Sequence, residues 1–216
     1  MKPIVIVGQA LDILVALPLF AVAPLLRPWH TRWGASSAEV HSAMPGDEHF
    51  PRAQFQATRA ITIDAPPSDV YPWLLQVGFG RAGFYSYDLL DGLGHPSAER
   101  IVPELQTVKV GDWMPMSPTI NDTTAFKVES YDPPKSLLWC KPDSTWAWHL
   151  EPAGNGTRLV TRLRAVYEWK KPGAALLGAF LLEFGDFAMM RRMLKGIRRR
   201  AEAGATATTL LSAATD

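Results

Sequence analysis

The stretch TWAWHLEPAGNGTRLVTRLRAVY, residues 145–167, decides the fold. Trp146, Trp148 and Leu150 alternate with Ala and His, which is the two-residue period of a half-buried strand. Pro, Gly and Asn-Gly within residues 151–156 predict a turn, and the alternation resumes beyond it. We therefore predict a hairpin with one apolar face. Two tryptophans on that face are bulky for a flat core, so they favour a curved sheet that wraps a helix or a ligand.

Further strand signals lie ahead of this hairpin, at short spacing and with turn residues between them. These segments are residues 58–64, 107–116, 124–131 and 137–141. Such a series predicts an antiparallel sheet. A short helix is expected over residues 68–77. Apolar residues at steps of three and four predict a long helix over residues 174–203. The fold class is therefore α+β, with the curved sheet wrapped around the long C-terminal helix.

The composition of the chain limits the classes of function that it can have. The chain has 216 residues, of which 47% are hydrophobic and 20% charged, as in ordinary globular proteins. A net charge of +1 gives no basic excess for nucleic acid. Cys140, the single cysteine, excludes an intramolecular disulfide and is expected to be a buried structural thiol. The five histidines have no metal-ligand spacing, and no nucleophile or phosphate-binding motif occurs, so we expect neither metal nor cofactor.

The amino-terminal segment is strongly apolar. Residues 3–26 hold fourteen Leu, Ile, Val or Phe residues and exceed the roughly 20 residues that cross a bilayer as a helix. We expect a membrane anchor, although Asp12 and two prolines make the segment only marginally hydrophobic. A cleaved secretory signal ending near residues 21–23, or a helix docked on the domain, remain alternatives. Basic residues that follow the segment favour a cytoplasmic main domain.

Several phrases of the chain resemble the SRPBCC superfamily, the START-like or Bet v 1-like helix-grip proteins. The longest are RAITIDAPPSDVYPWL (59–74), FKVESYDPPKSLLW (126–139) and WAWHLEPAGNGTRLVTRLR (146–164). Shorter phrases are similar to actinobacterial polyketide cyclase/dehydrase-like members. They are WG (33–34), EV (39–40), PGDE (45–48), GFYSYD (83–88) and MMRRML (189–194). The resemblance implies a cavity between sheet and long helix that holds a lipid, polyketide or other apolar molecule.

We divide the chain accordingly into four parts. Residues 1–28 are the hydrophobic helix and expected anchor, and residues 29–56 are a linker packed loosely on the domain. Residues 57–203 form the helix-grip ligand-binding domain. Residues 204–216 are rich in Ala and Thr without a core period and are expected to be disordered.

Candidate ligand contacts are aromatic residues on elements that border the cavity in helix-grip folds. They are Phe84, Tyr85, Tyr87, Trp113, Trp146 and Trp148. Plain core packing explains the same residues equally well, because aromatics dominate cores and pockets alike. The hydroxyls of Tyr85 and Tyr87 could orient a polar head group.

Charged residues give weaker signals. Asp186 joins the candidate contacts, because a carboxyl facing the cavity would have a raised pKa and could act as an acid or base. Arg162 and Arg164 are expected to face solvent. The basic end of the last helix, residues 191–200, is either a solvated face or a contact for anionic lipid headgroups.

Three functions follow from these observations. The leading one is binding of an apolar or lipid-like small molecule at a membrane, without covalent chemistry. The alternatives are a cyclase/dehydratase-type enzyme that acts on a polyketide-like substrate, and a protein-interaction module.

Overall fold

One antiparallel sheet forms the frame of the protein. The computed structural model describes residues 3–169 and 172–213, and within them the sheet has six strands in the order β1-β6-β5-β4-β3-β2. The strands are β1 (Phe55–Ile63), β2 (Trp113–Pro115), β3 (Ala125–Asp132), β4 (Ser136–Lys141), β5 (Ser144–Ala153) and β6 (Gly156–Ala165). The first strand therefore pairs with the last, and the others follow as a meander.

The hairpin of β5 and β6 matches the prediction from residues 145–167. Trp146 lies opposite Leu163, and Trp148 lies opposite Thr161, so the two tryptophans share one face of the sheet. The indole N–H of Trp146 donates to Thr161 Oγ1 at 2.9 Å across the strands. This cross-strand bond fixes the register, because a shift by one residue would turn Trp146 to the other face.

The helices are α1 (Pro3–Val22), α2 (Arg27–His30), α3 (Ser37–His41), α4 (Pro67–Leu75), α5 (Pro172–Phe180) and α6 (Asp186–Ala213). The inner face of the sheet and α6 bury one common core, in which Trp148 and Leu159 pack with Leu194 and Ile197. Gly196 lets α6 approach the loop beneath it, since a Cβ there would lie 2.3 Å from the Tyr85 carbonyl oxygen. The predicted α+β class, a curved sheet around a long C-terminal helix, is confirmed.

The C-terminal helix differs from the prediction at its start. A π-helical turn, Leu181–Gly185, separates α5 from α6. Extra residues in one turn rotate the helix face, so the apolar side chains of α5 no longer continue the core stripe of α6. Leu177 is 59% exposed and Phe180 is 58% exposed, whereas Phe187 is buried.

The segment predicted as a loose linker covers the outer face of the sheet. Arg162 binds it firmly: Nη1 donates to Asp47 Oδ2 at 2.6 Å, and Nη2 donates to the Glu39 carbonyl at 2.8 Å. Arg164 also reaches Asp47, and Arg158 pairs with Glu39 at 2.7 Å. The expectation that Arg162 and Arg164 face solvent is wrong, because residues 39–50 supply the acceptors that allow burial.

Helix α1 lies against α6, as the docked-helix alternative expects. Asp12 pairs with Arg192 at 2.6 Å, and Ile13 packs beside Tyr87 and Ala188. None of the helices within the described residues combines the length and apolar character needed to cross a bilayer. The prediction of a transmembrane anchor over residues 3–26 is therefore wrong, and Asp12, which pairs with Arg192, lies in the middle of α1.

Two further boundaries change. The strand predicted over residues 107–116 is reduced to Trp113–Pro115, because Gly111 has φ +91° and Asp112 caps a turn at the Lys109 N–H. Helix α6 continues through Ala213, where disorder was expected from residue 204, and Ala has the highest helix propensity. Residues 214–216 lie outside the described residues.

A buried arginine joins three parts of the fold. Arg59 of β1 is 1% exposed, and its Nη1 lies 2.6 Å from Asp186 Oδ2 at the start of α6. Its Nε donates to the carbonyl of His30 in α2 at 2.8 Å. Burial and the Arg59 charge lower the pKa of His30 to about 4, so this imidazole is neutral at physiological pH.

Breaking this ion pair should destabilise the protein strongly. Arg59→Met leaves Asp186 buried without its cation, and we expect a loss of about 3–5 kcal/mol in the free energy of unfolding. The double variant Arg59→Met/Asp186→Leu removes both charges and should recover most of that loss. Urea denaturation at neutral pH measures both variants.

The exposed Arg32 supplies the control, and Arg32→Met should stay within about 0.5 kcal/mol of wild type. A double variant that is no more stable than Arg59→Met would contradict the role given to the pair.

Candidate functional site

A pocket of about 420 Å³ lies where the sheet, α6 and the loop after α4 meet. Trp146 comes from the inner face of β5, and Met189, Met190 and Met193 come from α6. The loop contributes Phe79, Phe84, Ser86, Leu90, Asp91 and Leu93, and the segment after β2 contributes Met116, Ser117 and Pro118. Leu181 of the π-helical turn and Asp186 complete the lining. The wall is mainly apolar, with unbranched methionines that adapt to irregular shapes.

The rim of the pocket is made of exposed leucines. Leu90, Leu93 and Leu181 line the pocket and are 44%, 63% and 55% exposed. Leu93 has φ +48°, a left-handed conformation that is strained for a branched side chain. Backbone strain of this kind often occurs at ligand sites.

Three of the seven predicted contacts meet in this pocket. Phe84, Trp146 and Asp186 all line it. Trp146 presents its ring there while its N–H is held by Thr161. Asp186 reaches the same wall, but its carboxylate is already paired with Arg59.

The other four predicted contacts lie elsewhere. The hydroxyl of Tyr85 donates to the Trp73 carbonyl at 3.1 Å, and burial raises its pKa. The ring of Tyr87 packs beneath the Arg192 guanidinium, 4.5 Å from its centroid. Trp113 stacks with Lys127 Nζ at 4.2 Å beside a separate surface depression. Trp148 is fully buried in the core.

Asp91 is the pocket residue that sequence reasoning missed. Burial, with the neighbouring Asp88 charge, raises the pKa of Asp91 to about 7. In the phrase YDLLDGLG it is indistinguishable from an ordinary turn aspartate, since Asp before Gly is common in turns. The methionines on one face of α6 also gave no signal of a ligand site in the sequence, because their spacing fits plain core packing.

The two tyrosine hydroxyls and the carboxyl that could have acted together in catalysis do not meet at one site. Tyr85, Tyr87 and Asp186 each bond to a different part of the structure. Cys140 is only half-buried, on β4, and burial raises the pKa of its thiol, which disfavours the nucleophilic thiolate. Asp91 alone does not specify a reaction.

No protein-family model matches the chain, and neither does any curated protein. Solved structures overlap it loosely. A protein of Staphylococcus saprophyticus has a TM-score of 0.42 at 10% identity, over 70% of this chain and 94% of that one. A Polyketide_cyc-like protein of Corynebacterium glutamicum has a TM-score of 0.39 at 17% identity, over 69% and 92%. CalU16 of Micromonospora echinospora has a TM-score of 0.32 at 16% identity, over 70% and 86%.

These overlaps are too loose to assign a function. The strand order, the antiparallel pairing and the long helix packed on the inner face establish the fold by themselves. The chain has a helix-grip architecture, in which a curved antiparallel sheet packs on a long C-terminal helix, with a pocket between sheet and helix.

Proposed function

We propose that the protein binds a mainly apolar small molecule in the pocket between the sheet, α6 and the loop after α4. The observation that carries this proposal is the pocket itself, because its volume of about 420 Å³ lies within the range of ligand sites. Its wall combines aromatic rings with flexible methionines, as in sites that accept apolar ligands of variable shape. The exposed leucines of the rim give an apolar molecule a continuous path inward.

Narrowing the rim should weaken binding. Leu90→Trp places a larger ring at the mouth, and we expect Nile red to bind about tenfold more weakly than to wild type, or about 1.4 kcal/mol. Dye fluorescence, excited where tryptophan does not absorb, measures the affinity.

Ile120→Trp is the matched control, because Ile120 is 51% exposed and lies outside the pocket. Its affinity for the dye should equal that of wild type. Equal binding by all three proteins would place the dye elsewhere and contradict the proposed pocket.

We further propose that the protein lies against a membrane surface, as a peripheral rather than a spanning protein. Support comes from α1 and α5, whose outward side chains are apolar. Val7, Leu11, Leu14, Val15 and Leu17 of α1 and Leu176, Leu177 and Phe180 of α5 are each at least half exposed. Scattered apolar residues are normal on surfaces, but this many exposed apolar side chains on two helices favours an interaction site.

The basic end of α6 gives less support to this proposal. Arg199 and Arg200 pair with Glu99, and Arg198 pairs with Glu202. Since acidic partners offset these charges, anionic headgroups gain little from them. The apolar side chains should therefore dominate any attraction to lipid, with little dependence on salt.

Charges on the apolar side chains should abolish membrane association. Wild type should float with phosphatidylcholine vesicles on a density gradient, whereas Val15→Glu/Leu177→Glu should stay at the bottom. The control Val110→Glu/Ile120→Glu changes exposed apolar side chains away from α1 and α5 and should float like wild type. Wild type that does not float, or a control that fails equally, would contradict the proposal.

A further inference from the structure

Asp91 is a buried carboxyl without a well-placed donor. Both carboxylate oxygens are shielded from water, and neither accepts a hydrogen bond of good geometry from any residue in the described ranges 3–169 and 172–213. The backbone N–H groups of Tyr87 and Asp91 favour the charged carboxyl, but burial outweighs them and raises its pKa. The nearby Ser86 hydroxyl opposes the rise in the pKa of Asp91, yet it donates to the Met189 carbonyl at 3.0 Å. An unpartnered buried carboxylate is costly, so the empty site needs either a proton or a cation.

Two basic residues of the same loop, Arg81 and His95, do not line the pocket. Arg81 donates to the Leu75 carbonyl, and the His95 ring lies edge-on to the Phe79 ring. Three other charged groups near the pocket have partners of their own. On the same loop, Asp88 accepts a hydrogen bond from Ser97 at 2.6 Å and carries the wrong sign. From α6, Asp186 is paired with Arg59. Arg192, also from α6, donates to the Ser86 carbonyl and to Asp12.

The remaining elements at the pocket contribute uncharged groups. The segment after β2 supplies Met116, Ser117 and Pro118, β5 supplies Trp146, and the π-helical turn supplies Leu181. Aromatic faces and thioether sulfurs tolerate a cation that carries apolar groups. The pocket thus lacks a positive charge of its own and is lined by groups that accept one.

We propose that the pocket selects an apolar molecule that carries a protonated amine, whose N–H groups donate to Asp91. This inference rests on the proposed function. In the empty pocket the carboxylate oxygens are shielded, so the proposal requires a rotation about the Cα–Cβ bond of Asp91 that turns one oxygen toward the ligand. The ammonium then supplies the hydrogen-bond donor and the positive charge that the pocket lining does not provide.

Proton linkage predicts the direction in which the affinity for the amine changes with pH. An ammonium binds the charged carboxylate, so binding releases the proton that Asp91 holds in the empty pocket. With the pKa of Asp91 at about 7, affinity for the amine should rise about tenfold between pH 6 and pH 8. An alkylamine itself stays protonated there, since amines of this type have a pKa of about 10. A neutral ligand of the same length should show almost no such dependence.

Displacement of Nile red by n-decylamine, 1-decanol and decanoic acid tests the inference, because the three probes share one chain and differ only in the head group. For the full wild-type chain at pH 8, we expect the amine to bind at least tenfold more tightly than the alcohol, and the acid most weakly. Asp91→Asn should remove the amine preference and its pH dependence while leaving the alcohol unchanged. The control Asp132→Asn, an exposed aspartate outside the pocket, should keep both.

The outcomes separate the two proposals. If the alcohol binds as tightly as the amine in wild type, amine selection is overturned and the pocket stands. If no decyl probe displaces the dye, the proposed pocket and the amine inference both fall. If Asp132→Asn loses the preference as fully as Asp91→Asn, the anchor is not Asp91.

Stability against pH checks the state of Asp91 independently of any ligand. A carboxyl with a raised pKa in the folded protein lowers stability as pH rises from about 4, its unfolded value, through about 7. We therefore expect Asp91→Asn to melt at a higher temperature than wild type at pH 8, and the gain to shrink at pH 5. A gain that is the same at both pH values would show that Asp91 is not buried, and would overturn the inference.

Discussion

The ion pair between Arg59 and Asp186 is the contact on which the rest of the structure depends. Arg59 points to the inner face of β1, where a guanidinium has no access to water. It is tolerated there because α6 brings a carboxylate, α2 brings a carbonyl, and the Phe187 ring lies 5.5 Å from the guanidinium carbon. A buried charge with fixed donors accepts few arrangements of its neighbours, so the pair specifies where α6 starts relative to the sheet.

The position of α6 in turn creates the pocket. Asp186 is the first residue after the π-helical turn, and it contributes to the pocket wall as well as to the ion pair. Trp148 is fully buried beneath α6, whereas Trp146 lines the pocket together with Leu181 of the π-helical turn. Phe187 then packs toward His30 and Trp33 on the opposite side, which joins the amino-terminal segment to the same helix.

Local patterns predicted what local forces decide. The alternation around Trp146 and Trp148 predicted the hairpin and its inner face, because burial of one face enforces a period of two. The same alternation places Arg59 in phase with Ile61 and Ile63, so its burial could have been inferred from β1 alone. The prediction that Arg162 faces solvent was wrong for a reason that is not local. Its solvent-facing phase was correct, but a distant segment covers that face, and no periodicity reveals which segment will do so.

The pocket was only partly predictable for a related reason. Phe84 and Trp146 are large and lie on elements that border the cavity, so composition and resemblance together found them. Asp91 has a raised pKa because it is buried, and burial is a property of three-dimensional packing that its local sequence does not reveal. The prediction of a membrane anchor depended on the hydrophobicity of α1. Hydrophobicity carries no information about the ion pair between Asp12 and Arg192.

The pairing of β1 with β6 affects how the chain folds during its synthesis. Phe55 aligns with Ala165 and Ile63 with Thr157, so β1 has no strand partner until nearly the whole domain has been synthesised. At about 5–20 residues per second, that delay is on the order of ten seconds on the ribosome. Throughout it, β1 presents an open edge and an uncompensated arginine, and the apolar α1 waits for α6. The nascent chain therefore exposes apolar surface and a strand edge until the C-terminal part of the domain has been made.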